Sequence, residues 1–128
     1  VIANVVVSNI KYRHLLAKSI NKMVDNIRQS DLQELQKHSA EAADLLKQLG
    51  NQNRLMILCS LINGELSVTE LNQITDLSQS ALSQHLASLR KAELVQTRRE
   101  AQTIFYSLRG DEAMQVIAVL KSIYCPAL

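Results

Sequence analysis

Residues 67–91 read SVTELNQITDLSQSALSQHLASLRK, and this stretch decides the fold. Ser67-Val68-Thr69-Glu70 is a capping box, with a hydroxyl at the cap and a carboxylate three residues on, so it predicts a helix start. The helix it opens is short and runs to about Ile74. Thr75-Asp76-Leu77 supplies a turn, and Ser78 caps a second helix that runs to about Lys91. Leu82, Leu86 and Leu89 recur at helical spacing and predict its buried face. Two helices joined by a turn of a few residues form a helix-turn-helix candidate.

In such a motif the second helix enters the DNA major groove and its first residues meet base edges. Here Gln79, Ser80, Ser83 and Gln84 lie on the side opposite the leucines. Glutamine can bond adenine through two hydrogen bonds, and serine can donate or accept. A face of short, uncharged polar groups suits close approach to bases; a solvated surface is the plainer reading of the same residues. His85 sits at the edge of the apolar face, as a packed side chain or a phosphate contact. Arg90 and Lys91 end the helix, where they suit phosphate but also the negative end of the helix dipole.

Working outward, the period changes from Glu93 to Leu108. Ile104, Tyr106 and Leu108 alternate with Thr103, Phe105 and Ser107, which predicts strand. Leu94–Arg98 and Gln102–Leu108 pair as a hairpin with its turn near Glu100-Ala101, and the absence of Gly leaves the turn type open. Arg98 and Arg99 then lie at the hairpin tip, where a wing would reach phosphate or the minor groove. Upstream, Asp31 caps a helix to about Leu49, with Leu35, Ala42, Leu45, Leu46 and Leu49 on one side. Gln52–Ile62 forms another, with Leu55, Leu58, Cys59 and Ile62 as its apolar stripe. Downstream, Asp111 caps a last helix to about Tyr124, carrying Val116, Ile117, Leu120, Ile123 and Tyr124. Pro126 limits any continuation.

Of the 128 residues 47% are hydrophobic and 20% charged, with one Pro and three Gly, as expected of a folded, mainly helical chain. Net charge is +2 overall, but +3 is concentrated in residues 78–109 and −4 in residues 31–77. The basic segment is the reading helix and hairpin, a modest footprint for phosphate. Residues 1–30 are set apart as an N-terminal extension. Its first 22 residues hold four bases and no acid. They read either as upstream or appended sequence before a native start at Met23, the favoured reading, or as an extra helix through Leu16, Ile20, Met23, Val24 and Ile27. The domain proper is residues 31–128. No apolar run is long enough to span a bilayer, and no secretory signal stands out. Two cysteines are too few for a disulfide scaffold, and a reducing cytoplasm is expected.

The stretch from about Leu45 to Cys125 resembles the ArsR/SmtB family of winged-helix regulators. The resemblance rests on residues 78–86, Leu89-Arg90, Glu93-Leu94-Val95 and Ile104-Phe105-Tyr106. Glu65-Leu66-Ser67-Val68, residues 99–103 and Tyr124-Cys125 are most similar to the thiol-sensing branch of HlyU, BigR and SqrR. The resemblance implies a mainly α fold with a small β-hairpin, a winged helix-turn-helix. It implies a homodimer through the first and last helices, here Asp31–Leu49 and Asp111–Tyr124, bound to a double-stranded DNA operator. It also implies that Cys59 and Cys125 form a thiol switch, with an oxidant or reactive sulfur species as the signal and the bridged form weakening DNA binding. Read from the residues alone, a lone Cys on an apolar stripe is more often an inert core residue. Arg54 and Lys121 are candidate cationic neighbours for the thiols.

Metal-sensing members of the family carry a Cys-x-Cys motif before the reading helix. This chain has Ser67, Val68 and Thr69 there, and His14, His38 and His85 are far apart in sequence. No metal and no cofactor is expected. There is no Gly-rich phosphate loop and no recognisable Ser/His/Asp set, so no enzyme activity is expected. The alternatives kept open are the same regulator with structural cysteines, and a winged helix used for protein–protein contact.

Overall fold

The computed structural model describes residues 27–126, so all but the last four residues of the extension expected over residues 1–30, including the stretch 1–22, lie outside the described residues. The elements in order are α1 (Gln29–Lys37), α2 (Ser39–Leu49), α3 (Gln52–Ser60), β1 (Leu66–Ser67), α4 (Val68–Thr75), α5 (Gln79–Lys91), β2 (Val95–Glu100), β3 (Thr103–Leu108) and α6 (Glu112–Tyr124). The chain divides into two compact units. One holds the described residues through Ala40 together with those from Val116 onward. The other spans Glu41–Gln115 and carries the helix-turn-helix and the sheet.

In the Glu41–Gln115 unit, α3 packs on α4 and α5, α4 on α5, β1 and β3, and α5 on β2. Ile57, Leu58, Leu61, Leu71, Leu82, Leu86, Leu89 and Val95 are fully buried there. The sheet is antiparallel in the order β1-β3-β2. Leu66 pairs with Tyr106, and β2 pairs with β3 from Val95↔Leu108 to Glu100↔Thr103. β1 was not anticipated, because two residues are too few for alternation to register. The hairpin strands are Val95–Glu100 and Thr103–Leu108 rather than Leu94–Arg98 and Gln102–Leu108. The turn is the pair Ala101-Gln102, with Ala101 at φ 54°.

Three helix expectations are corrected. The helix expected from Asp31 to Leu49 is two helices, interrupted at His38, whose backbone leaves the helical region. The Ser39 hydroxyl donates to the Gln36 carbonyl at 2.9 Å there. Asp31 does not cap this segment; it lies in the first turn and accepts from the Arg28 backbone N–H at 3.0 Å. The stripe Leu55, Leu58, Cys59 and Ile62 is out of phase: Ile57, Leu58 and Leu61 are buried, while Leu55, Cys59 and Ile62 are half-buried. Nearly every residue from Leu55 to Cys59 is apolar, so periodicity could not fix which side faces the core.

The unit containing α1 and most of α6 leaves large apolar side chains exposed. Leu32 and Leu35 on α1, and Val119, Ile123 and Tyr124 on α6, are all exposed, whereas Ile117 is buried. Among the described residues no helix is long and apolar enough to cross a membrane.

Candidate nucleic-acid interface

Both helix starts of the motif form as their sequence dictates. The Ser67 hydroxyl accepts from the Glu70 N–H and the Glu70 carboxylate accepts from the Ser67 N–H, each at 3.1 Å. The Ser78 hydroxyl accepts from the Ala81 N–H at 3.2 Å. The turn between α4 and α5 closes without glycine, because Asp76 takes the left-handed conformation at φ 53°. Asp tolerates that region better than most residues.

The end of α5 aims the chain into the sheet. The Leu94 N–H donates to the Leu89 carbonyl and the Glu93 N–H to the Arg90 carbonyl, both at 3.0 Å. With Glu93 at φ 60° this is a Schellman motif in which glutamate holds the position that usually takes glycine. Leu89 and Leu94 are both buried, the apolar contact that accompanies such a cap. A further hydrogen bond, from the Ser88 hydroxyl to Gln48 Oε1 at 3.0 Å, ties α5 to α2. Arg54 in turn donates to the carbonyls of Gln48 and Lys47, each at 2.9 Å, and so satisfies the end of α2. Its guanidinium is therefore engaged with two backbone carbonyls.

This framework leaves one side of α5 open. Leu82, Leu86 and Leu89 are buried, while Gln79, Ser80, Ser83 and Gln84 are exposed. His85 is half-buried at the border. Arg90 and Lys91 are exposed, with no carboxylate partner among the described residues. Beside them an open groove of about 410 Å³ runs between α5 and the sheet, lined by Val68, Ser83, Ala87, Arg90, Lys91 and Tyr106.

The sheet separates the two arginines expected together at the tip. Side chains alternate between faces along a strand. Val95, Thr97 and Arg99 share the face of Tyr106, toward α5; Gln96, Arg98 and Glu100 share the face of Phe105. Arg98 is held there by Glu65, with Nε and Nη2 donating to the carboxylate at 3.1 and 2.6 Å. Its Nη1 donates to Glu100 at 2.9 Å, and its Cζ stands 4.6 Å from the Phe105 ring centroid. The two hydrogen-bonded carboxylates raise the Arg98 pKa, Glu65 contributing most. The Arg98 hydrogen bond likewise lowers that of Glu65. Among the described residues Arg99 makes only a 3.3 Å bond from Nε to the Ala101 carbonyl. Sequence reasoning missed Glu65 because it lies 33 residues from Arg98.

Cys59 and Cys125 are free thiols, both half-buried. Burial raises the Cys59 pKa. Among the described residues no group of His, Cys, Asp and Glu side chains is arranged to hold a metal ion.

A capped helix pair, closed by a small antiparallel sheet and presenting a neutral polar helix face, defines a winged helix-turn-helix. Residues 51–97 match the model of the bacterial regulatory protein arsR family. The transcriptional activator HlyU of Vibrio cholerae is 55% identical over 97 residues, covering 76% of this chain and 90% of that protein. The regulator YgaV of Escherichia coli is 44% identical over 98 residues, covering 76% and 99%. Among solved structures, reduced HlyU from Vibrio cholerae superposes with a TM-score of 0.68 over 73% of this chain and 98% of that one, at 55% identity. The repressor BigR from Xylella fastidiosa gives 0.69 at 42% identity, over 73% and 95%. The chain belongs to the arsR family of bacterial regulators: it is a DNA-binding transcriptional regulator and not an enzyme.

Proposed function

We propose that this protein acts as a cytoplasmic homodimer on a specific double-stranded operator, with its DNA affinity set by the oxidation or persulfide state of Cys59 and Cys125. The observation that carries the DNA reading is the exposed row Gln79, Ser80, Ser83 and Gln84 on a helix whose other side is buried. Arg90, Lys91 and Arg99 flank it as cations without carboxylate partners among the described residues. Exposed Leu32, Leu35, Val119 and Ile123 on the first and last helices support an interface between two copies. A dimer places two reading helices on half-sites about 34–36 Å apart, so small changes in their spacing cost affinity.

The thiol reading is supported by the place of Cys59 on α3, the helix packed against both helices of the motif. It draws further support from the relatives, one of whose structures is described as reduced HlyU. A second reading, with inert cysteines, is favoured by the raised Cys59 pKa, because the thiolate is the reactive form. A gel shift on promoter fragments separates the two, comparing reduced and polysulfide-treated protein with Cys59→Ser and Cys125→Ser controls. Loss of binding on treatment, abolished in either variant, supports the switch. Unchanged binding, with no Cys59–Cys125 link by mass spectrometry, removes it. Relatives named as activator and as repressor leave the sign of regulation to be read from the promoter itself.

A further inference from the structure

We propose that Arg98 does not contact DNA: clamped between Glu65 and Glu100 on the outer face of the wing, it is a positioning residue that fixes the wing against the body, and Arg99 is the wing's phosphate-contacting cation. The inference rests on the DNA-binding reading and deepens it, since it divides two adjacent arginines into different roles.

Three observations carry it. The first is the strand register. Arg98 pairs with Phe105 and Arg99 with Ile104, so the two side chains leave opposite faces. Only the Arg99 face is shared with Tyr106 and the groove beside α5. The second is charge. Arg98 donates from Nε, Nη1 and Nη2 to two carboxylates and lays its guanidinium over Phe105, which leaves two of its five N–H groups. A phosphate approaching it meets two negative charges already in place and would have to displace or share them. The third is connectivity. Glu65 immediately precedes β1, while Arg98 and Glu100 lie on β2, the opposite edge of the sheet. The clamp spans the sheet from one edge to the other, across β3, and couples the wing hairpin to the segment that leads into α4. Arg99, by contrast, has four guanidinium N–H groups left after its bond to the Ala101 carbonyl.

The test measures binding to a fluorescein-labelled random-sequence duplex by anisotropy, across about 50 to 200 mM salt. Each lost phosphate contact flattens the log–log salt dependence by roughly 0.9. Arg99→Ala is expected to flatten it by about that amount per protomer. Adding Arg98→Ala to Arg99→Ala is expected to leave the slope where Arg99→Ala put it. Glu65→Gln is expected to weaken binding or leave it unchanged. In the DNA-free protein, Arg98→Ala is expected to speed hydrogen exchange of the β2 and β3 amides about 2- to 5-fold, with the α3 amides unmoved; Arg98→Lys should not restore them.

A further drop of roughly 0.9 in the double variant would overturn the assignment, as would a steeper slope and tighter binding in Glu65→Gln. Wing exchange unaltered by Arg98→Ala would overturn it as well. A wild-type chain that fails to bind the duplex would instead defeat the DNA-binding reading itself, and is recognised by the wild-type titration alone.

Discussion

Replacing Glu93 with glycine should make the protein more stable, although it deletes an ion pair. Glu93 closes α5 at φ 60°, a region that costs an ordinary L-residue about 1–2 kcal/mol. Glycine removes that cost but brings more unfolded-state entropy, about 0.4–1 kcal/mol. The ion pair lost, Glu93 to Arg109, is 3.8 Å long between side chains that are both mostly exposed, so it contributes little. The balance is a gain of about 0.5–1 kcal/mol, or roughly 2–5 °C in Tm for a domain of this size. Differential scanning calorimetry at one fixed protein concentration reads it, since an associating chain melts in a concentration-dependent way. Two controls isolate the cause. Glu93→Ala removes the ion pair and keeps the strained backbone, so it should lie at or slightly below wild type. Glu93→Asn, better suited to the left-handed region, should fall between wild type and glycine. If Glu93→Gly melts no higher than Glu93→Ala, the backbone argument is wrong.

Ser67→Ala should cost about 1–2 kcal/mol in a urea melt, because the hydroxyl that caps α4 is buried and its loss leaves the Glu70 N–H unpaired. For the Ser88–Gln48 hydrogen bond, a double-mutant cycle on Ser88→Ala and Gln48→Ala should return a coupling of about 0.5–1.5 kcal/mol, and additive losses would mean that α2 does not brace α5. Glu65 has a lowered pKa in the folded protein, so its contribution is present above the ordinary carboxylate range and lost as pH falls through the folded value. Hydrogen exchange of the wing, corrected for its intrinsic pH dependence, should therefore quicken progressively as pH falls from the ordinary carboxylate range toward the lower folded value, and level off below that value. Cys59 has the opposite sign. Burial holds the thiol protonated, so its alkylation by iodoacetamide, followed by peptide mass spectrometry, should have a midpoint above the usual thiol range; a midpoint at or below that range would show that burial does not set its reactivity.

What could be read from the sequence is what local chemistry specifies. Ser67 with Glu70, Ser78, and the leucines at 82, 86 and 89 each act within a helical turn or two of themselves, and all were legible. The exposed glutamine–serine row followed from the leucines by subtraction. What could not be read depends on partners distant in the chain or on backbone states that no residue type announces. β1 exists because Leu66 and Ser67 meet Tyr106 and Phe105, about forty positions away. Asp76, Glu93 and Ala101 all turn the chain at positive φ without a glycine to mark the place. The division of labour between Arg98 and Arg99 needed both the strand register and Glu65. In α3, a run that is apolar almost throughout concealed which side faces inward, and Cys59 came out at the margin of the core, not within it.

That margin matters to how a thiol could govern DNA binding. Helix α3 reaches the reading helix by two routes inside the Glu41–Gln115 unit. It packs directly on α5, and through Arg54 it holds the last turn of α2, whose Gln48 accepts from Ser88 on α5. Protein interiors are close-packed and transmit displacement instead of absorbing it. Adding bulk to a well-packed site costs about 1–3 kcal/mol, while about 1.4 kcal/mol is a tenfold change in affinity. Cys59 is half-buried, so a modification there costs less than in the core, and it would bear on operator occupancy only if the DNA-bound arrangement accommodated it less well than the free one. The bracing that fixes α5 is thus anchored to the helix that carries Cys59.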